Sequence, residues 1–188
     1  MTAEEIRQSI VFRGIFEYTQ QKFYPAKTVR GREPWKVPEH DPHQADKYWA
    51  DVLAPGWRGP YPRDWCGALA LWNYRQEGLT SFHWIVGLGF AEPLHLPKVA
   101  IPEPGDLVIY EHNWHHAIVE KVVPPVLDPR EEGNKGEASV WTIDGNQPAI
   151  DRYGPSDARQ ARKLSAAFAY YSIAGLIEAK LRALEVRP

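Results

Sequence analysis

The apolar residues of this 188-residue chain change period at Pro104-Gly105. Before that point they recur at helical spacing, and after it they run and alternate as strands do. Helices first and a sheet second is the signature of an α+β domain, and the length suits one domain with a full core. Thr2-Ala3-Glu4-Glu5 reads as a capping box. Ile6, Ile10, Gly14 and Tyr18 follow at helical spacing with Val11 and Ile15 beside them, predicting a first helix over about 3–23 that Pro25 ends. Residues 26–40, broken by Gly31, Pro34 and Pro38, read as loop. Asp41-Pro42 then looks like an N-cap followed by a first-turn proline, with Ala45, Tyr48, Trp49, Val52 and Leu53 on one face of a helix that stops before Pro55-Gly56.

Asp64-Trp65-Cys66-Gly67-Ala68-Leu69-Ala70-Leu71-Trp72 holds the only cysteine. Asp64 suits an N-cap and Gly78 a left-handed close, which predicts a helix over roughly 65–77. Gly67 and Ala70 would let that helix approach a neighbour closely, while Leu69 and Trp72 supply bulk. Cys66 falls in the first turn, where unpaired N–H groups and the helix dipole favour an anion. Such surroundings lower a thiol pKa from about 8.5 toward roughly 3.5–7.5. Taken without context, a lone cysteine is more often a small buried hydrophobe.

Residues 82–104 read equally as a short helix or an apolar loop, because Pro93, Pro97, Pro102 and Pro104 deny long regular structure. The segment is expected over the site entrance or under the sheet. Strands are expected at 106–110, 115–123 and 139–144, forming an antiparallel meander. The first two are joined by a hairpin at 111–114. The second and third are joined by a longer polar loop at 124–138, carrying Asp128, Arg130, Glu131, Glu132 and Lys135 and expected to be mobile surface. A further strand at 166–172 and a closing helix at 175–184, with Leu176, Ile177, Leu181 and Leu184 inward, complete the reading. The domain divides into an N-terminal extension (1–40), a core (41–173) and a C-terminal helix (174–188).

A thiolate needs a base, and the base needs a group that fixes its tautomer. In His115-His116-Ala117-Ile118-Val119-Glu120, strand alternation places His115, Ala117 and Val119 on one face and His116, Ile118 and Glu120 on the other. The face with the small Ala117 is expected to lie against the cysteine helix, which makes His115 the base and His116 the runner-up. In Ile143-Asp144-Gly145-Asn146-Gln147, either Asp144 or Asn146 can accept the second imidazole N–H. Asp144 is preferred because Asn146 follows Gly145 toward a turn; alone, Asp-Gly-Asn is also ordinary turn chemistry. Trp65, Tyr61 and Trp114 flank these motifs as candidate substrate contacts, with packing the alternative for each. His40 with His43, and His112 with His115 and His116, invite a zinc reading, but the first pair has no convergent third ligand, and the second set sits on a tight hairpin where it need not converge and lacks the Glu of a zincin helix. No metal or cofactor is expected.

Together Trp65-Cys66-Gly67-Ala68, Pro104-Gly105-Asp106-Leu107-Val108, His115-His116-Ala117-Ile118-Val119-Glu120 and Ile143-Asp144-Gly145-Asn146-Gln147 resemble the CHAP branch of the NlpC-like, papain-fold cysteine peptidases, over roughly 40–172. The resemblance implies a papain-like fold with the nucleophile helix packed on an antiparallel sheet, Cys66 as nucleophile, His115 as base and Asp144 or Asn146 as orienting group. It also implies hydrolysis of amide bonds in the peptide part of peptidoglycan, by an amidase or an endopeptidase. Aspartate stands where many relatives carry glutamate or another residue. An acyltransferase or isopeptidase would use the same residues, and a binding module with a relic site is the reading from a different class.

A formal charge of −2 without a basic run argues against a nucleic-acid partner. The weakly polar run at 165–177 is shorter than the roughly 20 residues a bilayer span needs, so no membrane partner is expected. Met1-Thr2-Ala3-Glu4-Glu5-Ile6-Arg7 lacks the pattern of a secretory signal. The partner that the resemblance implies is a peptidoglycan peptide, acted on in the wall after synthesis in the cytoplasm. Phage lysin, housekeeping wall enzyme and injected antibacterial effector all fit, the last with a delivery or immunity protein as a second partner.

Overall fold

The computed structural model describes residues 1–20, 23–25, 36–38, 45–59, 65–84, 89–110, 115–125, 137–148 and 155–186. Helix α1 is Ala3–Thr19. Its capping box forms as the sequence predicts: Thr2 Oγ1 accepts from the Glu5 N–H, and a Glu5 carboxylate oxygen accepts from the Thr2 N–H. The helix ends at Thr19 and not at 23, because Phe23–Pro25 (β1) pairs antiparallel with Lys36–Pro38 (β2), a ribbon not expected inside the loop region. Helix α2 is Asp46–Val52, its N-cap Ala45 rather than Asp41, which lies outside the described residues, as do His40 and His43. Its buried face, Tyr48, Trp49 and Val52 flanked by Ala45 and Leu53, is the predicted one.

Helix α3 is Cys66–Gln76. Gly78 closes it at φ +68°. Trp65 stands at the N-cap without a side-chain cap bond, and Asp64 lies outside the described residues. Residues 89–97 form turns, and Lys98–Val99 makes a short strand, β3, that apolar content alone does not reveal. The sheet continues with β4 (Leu107–Tyr110), β5 (His115–Val123), β6 (Ser139–Pro148), β7 (Pro155–Lys163) and β8 (Ala169–Tyr171), in the order β3-β8-β4-β5-β6-β7 with every pair antiparallel. The predicted meander is β4-β5-β6. β7 was not anticipated because Asp157, Arg159, Arg162 and Lys163 make its sequence polar, as suits a strand at the sheet edge. Helix α4, Ala174–Glu185, buries Ile177 and packs Leu176 and Leu181 on the core, but Leu184, expected inward, is exposed.

The two sheet faces carry different loads. Leu107, Ile109, Ile118 and Ile143 face the helices and join Ile6, Ile10, Tyr48, Trp49, Leu69, Leu71 and Ile177 in the main core. Val108, Tyr110, Ala117, Val119, Val140 and Tyr170 form a second cluster on the opposite face. The Pro104-Gly105-Asp106 signature anchors the sheet to α1 and α4. The fully buried Asp106 accepts from Arg7 Nη1 at 2.8 Å, from the Ile173 N–H at 3.1 Å and from the Glu103 N–H at 2.9 Å. Arg7, itself 5% exposed, also donates to the Pro104 carbonyl.

Candidate active site

Two close approaches fix the start of α3, one between Gly67 and Trp84 and one between the helix and Gly145 of β6. A Cβ on Gly67 would lie 2.0 Å from Trp84 Cη2, so only glycine leaves room for that ring. A Cβ on Gly145 would meet Trp65 at 2.7 Å and Leu69 at 3.2 Å, so β6 passes under the start of the helix only where it lacks a side chain. The Asp-Gly of the motif is thus a contact with the Cys66 helix rather than a turn. β6 runs on through Pro148, with a register shift between Asp144 and Gln147, so Asn146 lies within the strand and not in the turn expected of it.

Three groups line up at this junction. Cys66 is buried, 5% exposed, and its Sγ accepts the backbone N–H of His116 at 3.5 Å. The His115 side chain hydrogen-bonds Cys66 on one side. On the other, its Nε2 lies 2.7 Å from Asp144 Oδ1. The nitrogen left for the sulfur is therefore Nδ1. Asp144 is fully buried and stands opposite Ala117 in the ladder, on the same face as His115. The Asn146 side chain, Tyr61, Trp114 and His112 lie outside the described residues.

Two expectations need correction. The Ala117 face does not lie against the helix: Ala117 belongs to the second cluster, whereas Ile118, its neighbour on the other face, packs on α3. His115 and Cys66 are the first residues of β5 and α3, and the two meet where these elements begin. The runner-up base, His116, was expected on the face turned away from the cysteine helix. Its backbone N–H instead donates to Sγ, while its ring is buried on the helix side, stacked on Phe90 at 5.4 Å and edge-on to Trp84 at 5.8 Å. Neither His116 ring nitrogen has a hydrogen-bond partner. Trp65, 3% exposed, stacks on Tyr48 at 5.7 Å and is a packing residue.

Electrostatics favour an ion pair. Burial pushes the Cys66 thiol up, but the His115 hydrogen bond and the nearby His116 side chain outweigh it and hold the thiol at about 6. Burial pushes the His115 imidazole down, yet its bonds to Asp144 and Cys66 raise it to about 9. Between those values thiolate and imidazolium coexist, the form that attacks a carbonyl and then protonates a leaving group. Burial disfavours the ionised Asp144, but the His115 bond and the Arg162 guanidinium hold its carboxyl below the usual range.

The groups behind Asp144 are not marked by any sequence motif. Thr142 Oγ1 donates to Asp144 Oδ2 at 2.7 Å. Arg162 Nη1 donates to Thr142 Oγ1 at 2.6 Å and lies 3.0 and 3.1 Å from the two Asp144 oxygens. The guanidinium sits over the Tyr110 ring, 4.5 Å from its centroid. The only available signal was the alternation of β7, invisible until the strand itself is recognised.

Among the described residues no group of three or more His, Cys, Asp or Glu side chains is placed to hold a metal ion, and no helix is long and apolar enough to cross a membrane. Comparison with protein-family models, curated proteins and solved structures finds no match to this chain.

Proposed function

We propose that the chain is a cysteine hydrolase that cleaves amide bonds in the peptide part of peptidoglycan, built as a CHAP-type, papain-like domain. The observation that carries the catalytic half is the continuous line Cys66, His115, Asp144, with a depressed thiol pKa and a raised imidazole pKa at its two reacting ends. A His115 turned away from Cys66 would have favoured a relic site; the hydrogen bond between them supports catalysis. The substrate half rests on the motif resemblance in the sequence.

In this reading the Cys66 thiolate attacks the amide carbonyl. Negative charge moves to the carbonyl oxygen, which the backbone N–H of Cys66 at the helix start and a second donor would receive. His115 gives its proton to the departing amine as the C–N bond breaks, leaving a thioester and a neutral imidazole. Water then attacks the thioester, His115 takes its proton, and the acid product leaves with the thiolate restored. Asp144 keeps the imidazole in the tautomer that presents Nδ1 to the sulfur.

The test is digestion of purified peptidoglycan followed by mass spectrometry of the fragments, with Cys66→Ala as control. Release of muropeptides bearing a new amine and a new carboxylate by the wild type alone supports the proposal. Intact peptidoglycan with a reactive Cys66 would move the activity to another amide or to acyl transfer.

A further inference from the structure

The Cys66–His115–Asp144 line places two acids in a buried site. In its reactive form it holds a thiolate and a carboxylate but only one cation, the imidazolium. Cys66 is 5% exposed, and the side chains of Asp144 and His115 are 0% and 17% exposed. Burying an unbalanced negative charge is costly, and a site that does so shifts its pKa values until the charge is gone. Among the described residues the charged and titratable groups around the line are few. Tyr110 on β4 and Tyr170 on β8 have raised pKa values and keep their protons. His116 on β5 lies beside the sulfur, and Glu120 is engaged with Arg159, at 2.5 and 2.8 Å. Arg162 on β7 is the fixed cation in contact with Asp144.

We infer that Arg162 is a positioning residue of the active site: it balances the charge of Asp144 and locks its carboxylate, so that the Cys66–His115 pair can form as thiolate and imidazolium. The hydrogen-bond directions require the lock. A guanidinium only donates, so Thr142 Oγ1 accepts from Arg162, and its single proton goes to Asp144 Oδ2 at 2.7 Å in preference to the Gln160 carbonyl at 3.5 Å. Asp144 Oδ1 meets Arg162 and His115. Both carboxylate oxygens thus face donors, a protonated Asp144 would have no acceptor for its proton, and His115 Nε2 must carry the hydrogen. The Tyr110 ring under the guanidinium and the 19% exposure of its side chain hold the cation in place and limit screening by water.

This inference rests on the catalytic reading of the triad and not on its substrate, so its test uses none. The pH dependence of Cys66 alkylation by iodoacetamide, followed by mass spectrometry on the full-length protein, reads the thiolate fraction of the only thiol. The wild type should titrate at about 6. Arg162→Gln keeps a donor but removes the charge, and leaves Asp144 facing the thiolate unbalanced. Its thiol pKa should rise by about one unit, a tenfold loss of thiolate at a fixed pH below the midpoint. Arg162→Lys restores the cation and should return the midpoint to near the wild-type value. Arg162→Met provides the same comparison should the Gln variant fail to fold. A midpoint unmoved in the folded charge-removing variants, or moved equally by Lys, would overturn the inference and leave Arg162 a structural brace. A wild-type midpoint near 8.5 would instead overturn the ion-pair reading itself.

Discussion

His115 Nε2 lies 2.7 Å from Asp144 Oδ1, and the carboxylate it meets is fully buried between β5 and β7. That contact favours Asp144 as the orienting group, because Asp144 stands opposite Ala117, the residue two on from His115 on the same face. Asp144→Ala should therefore cost turnover on the order of ten-thousandfold, the loss known for the analogous partner of a serine triad. Asn146→Ala should cost far less. Steady-state rates of the two variants on one substrate check the order, and the reverse result would make the site a cysteine, histidine, asparagine triad.

The ion pair sets a pH window. The thiol must lose its proton and the imidazole must keep its own, so the reactive form is present between about 6 and about 9. Activity should rise as pH increases through the lower value, where thiolate forms, and fall as pH increases through the upper, where His115 loses the proton it gives the leaving group. A bell-shaped profile of kcat/KM with limbs near those values is expected, and a profile rising monotonically to pH 10 would contradict it.

The adjacent histidines should behave oppositely. His115→Ala removes the base and should lower turnover by about 10²–10⁴-fold, the usual contribution of a general acid–base group. His116→Leu replaces a ring with two unpartnered nitrogens, packed between Phe90 and Trp84, by an apolar group of similar volume. Its melting temperature should hold or rise, since removing buried unsatisfied polar atoms offsets the lost stacking. Because the His116 side chain helps hold the thiol down, the acid limb of its pH profile should move up, while turnover above that limb stays within about tenfold of wild type because the bond to Sγ comes from the backbone and is kept. Thermal melts and rates on both variants make the check.

Asp106 should matter for stability and not for chemistry. Asp106→Ala leaves Arg7 buried without its inner partner and strands the N–H groups of Glu103 and Ile173. Breaking one side of a buried pair costs about 3–5 kcal/mol, enough to lower the denaturation midpoint clearly. Glu103, also bonded to Arg7 but at the surface, limits rather than cancels the loss. Urea titration of the variant measures it, and unchanged stability would contradict this account of the Pro-Gly-Asp signature.

Much of this architecture was legible because it follows from local rules. Side-chain periods placed α1, α3, α4 and the β4-β5-β6 meander, and the capping box of Thr2 and Glu5 and the left-handed Gly78 marked their ends. Alternation in β5 put His115 and His116 on opposite faces, as they are. The chemistry of a lone cysteine at a helix start, a histidine strand and an acid on its neighbour is also local.

What the chain by itself determined, then, is which residues can react and in which elements they stand. Tertiary structure decided how they meet. Which sheet face the helices cover depends on the summed burial of Leu107, Ile109, Ile118 and Ile143, not on the size of Ala117 alone. β7 has no apolar signal because it is the edge, yet it delivers Arg162 to Asp144 from 18 residues away in sequence. A charge balance among buried groups is a property of distances, and distances between strands are set by packing, which no single stretch of sequence records.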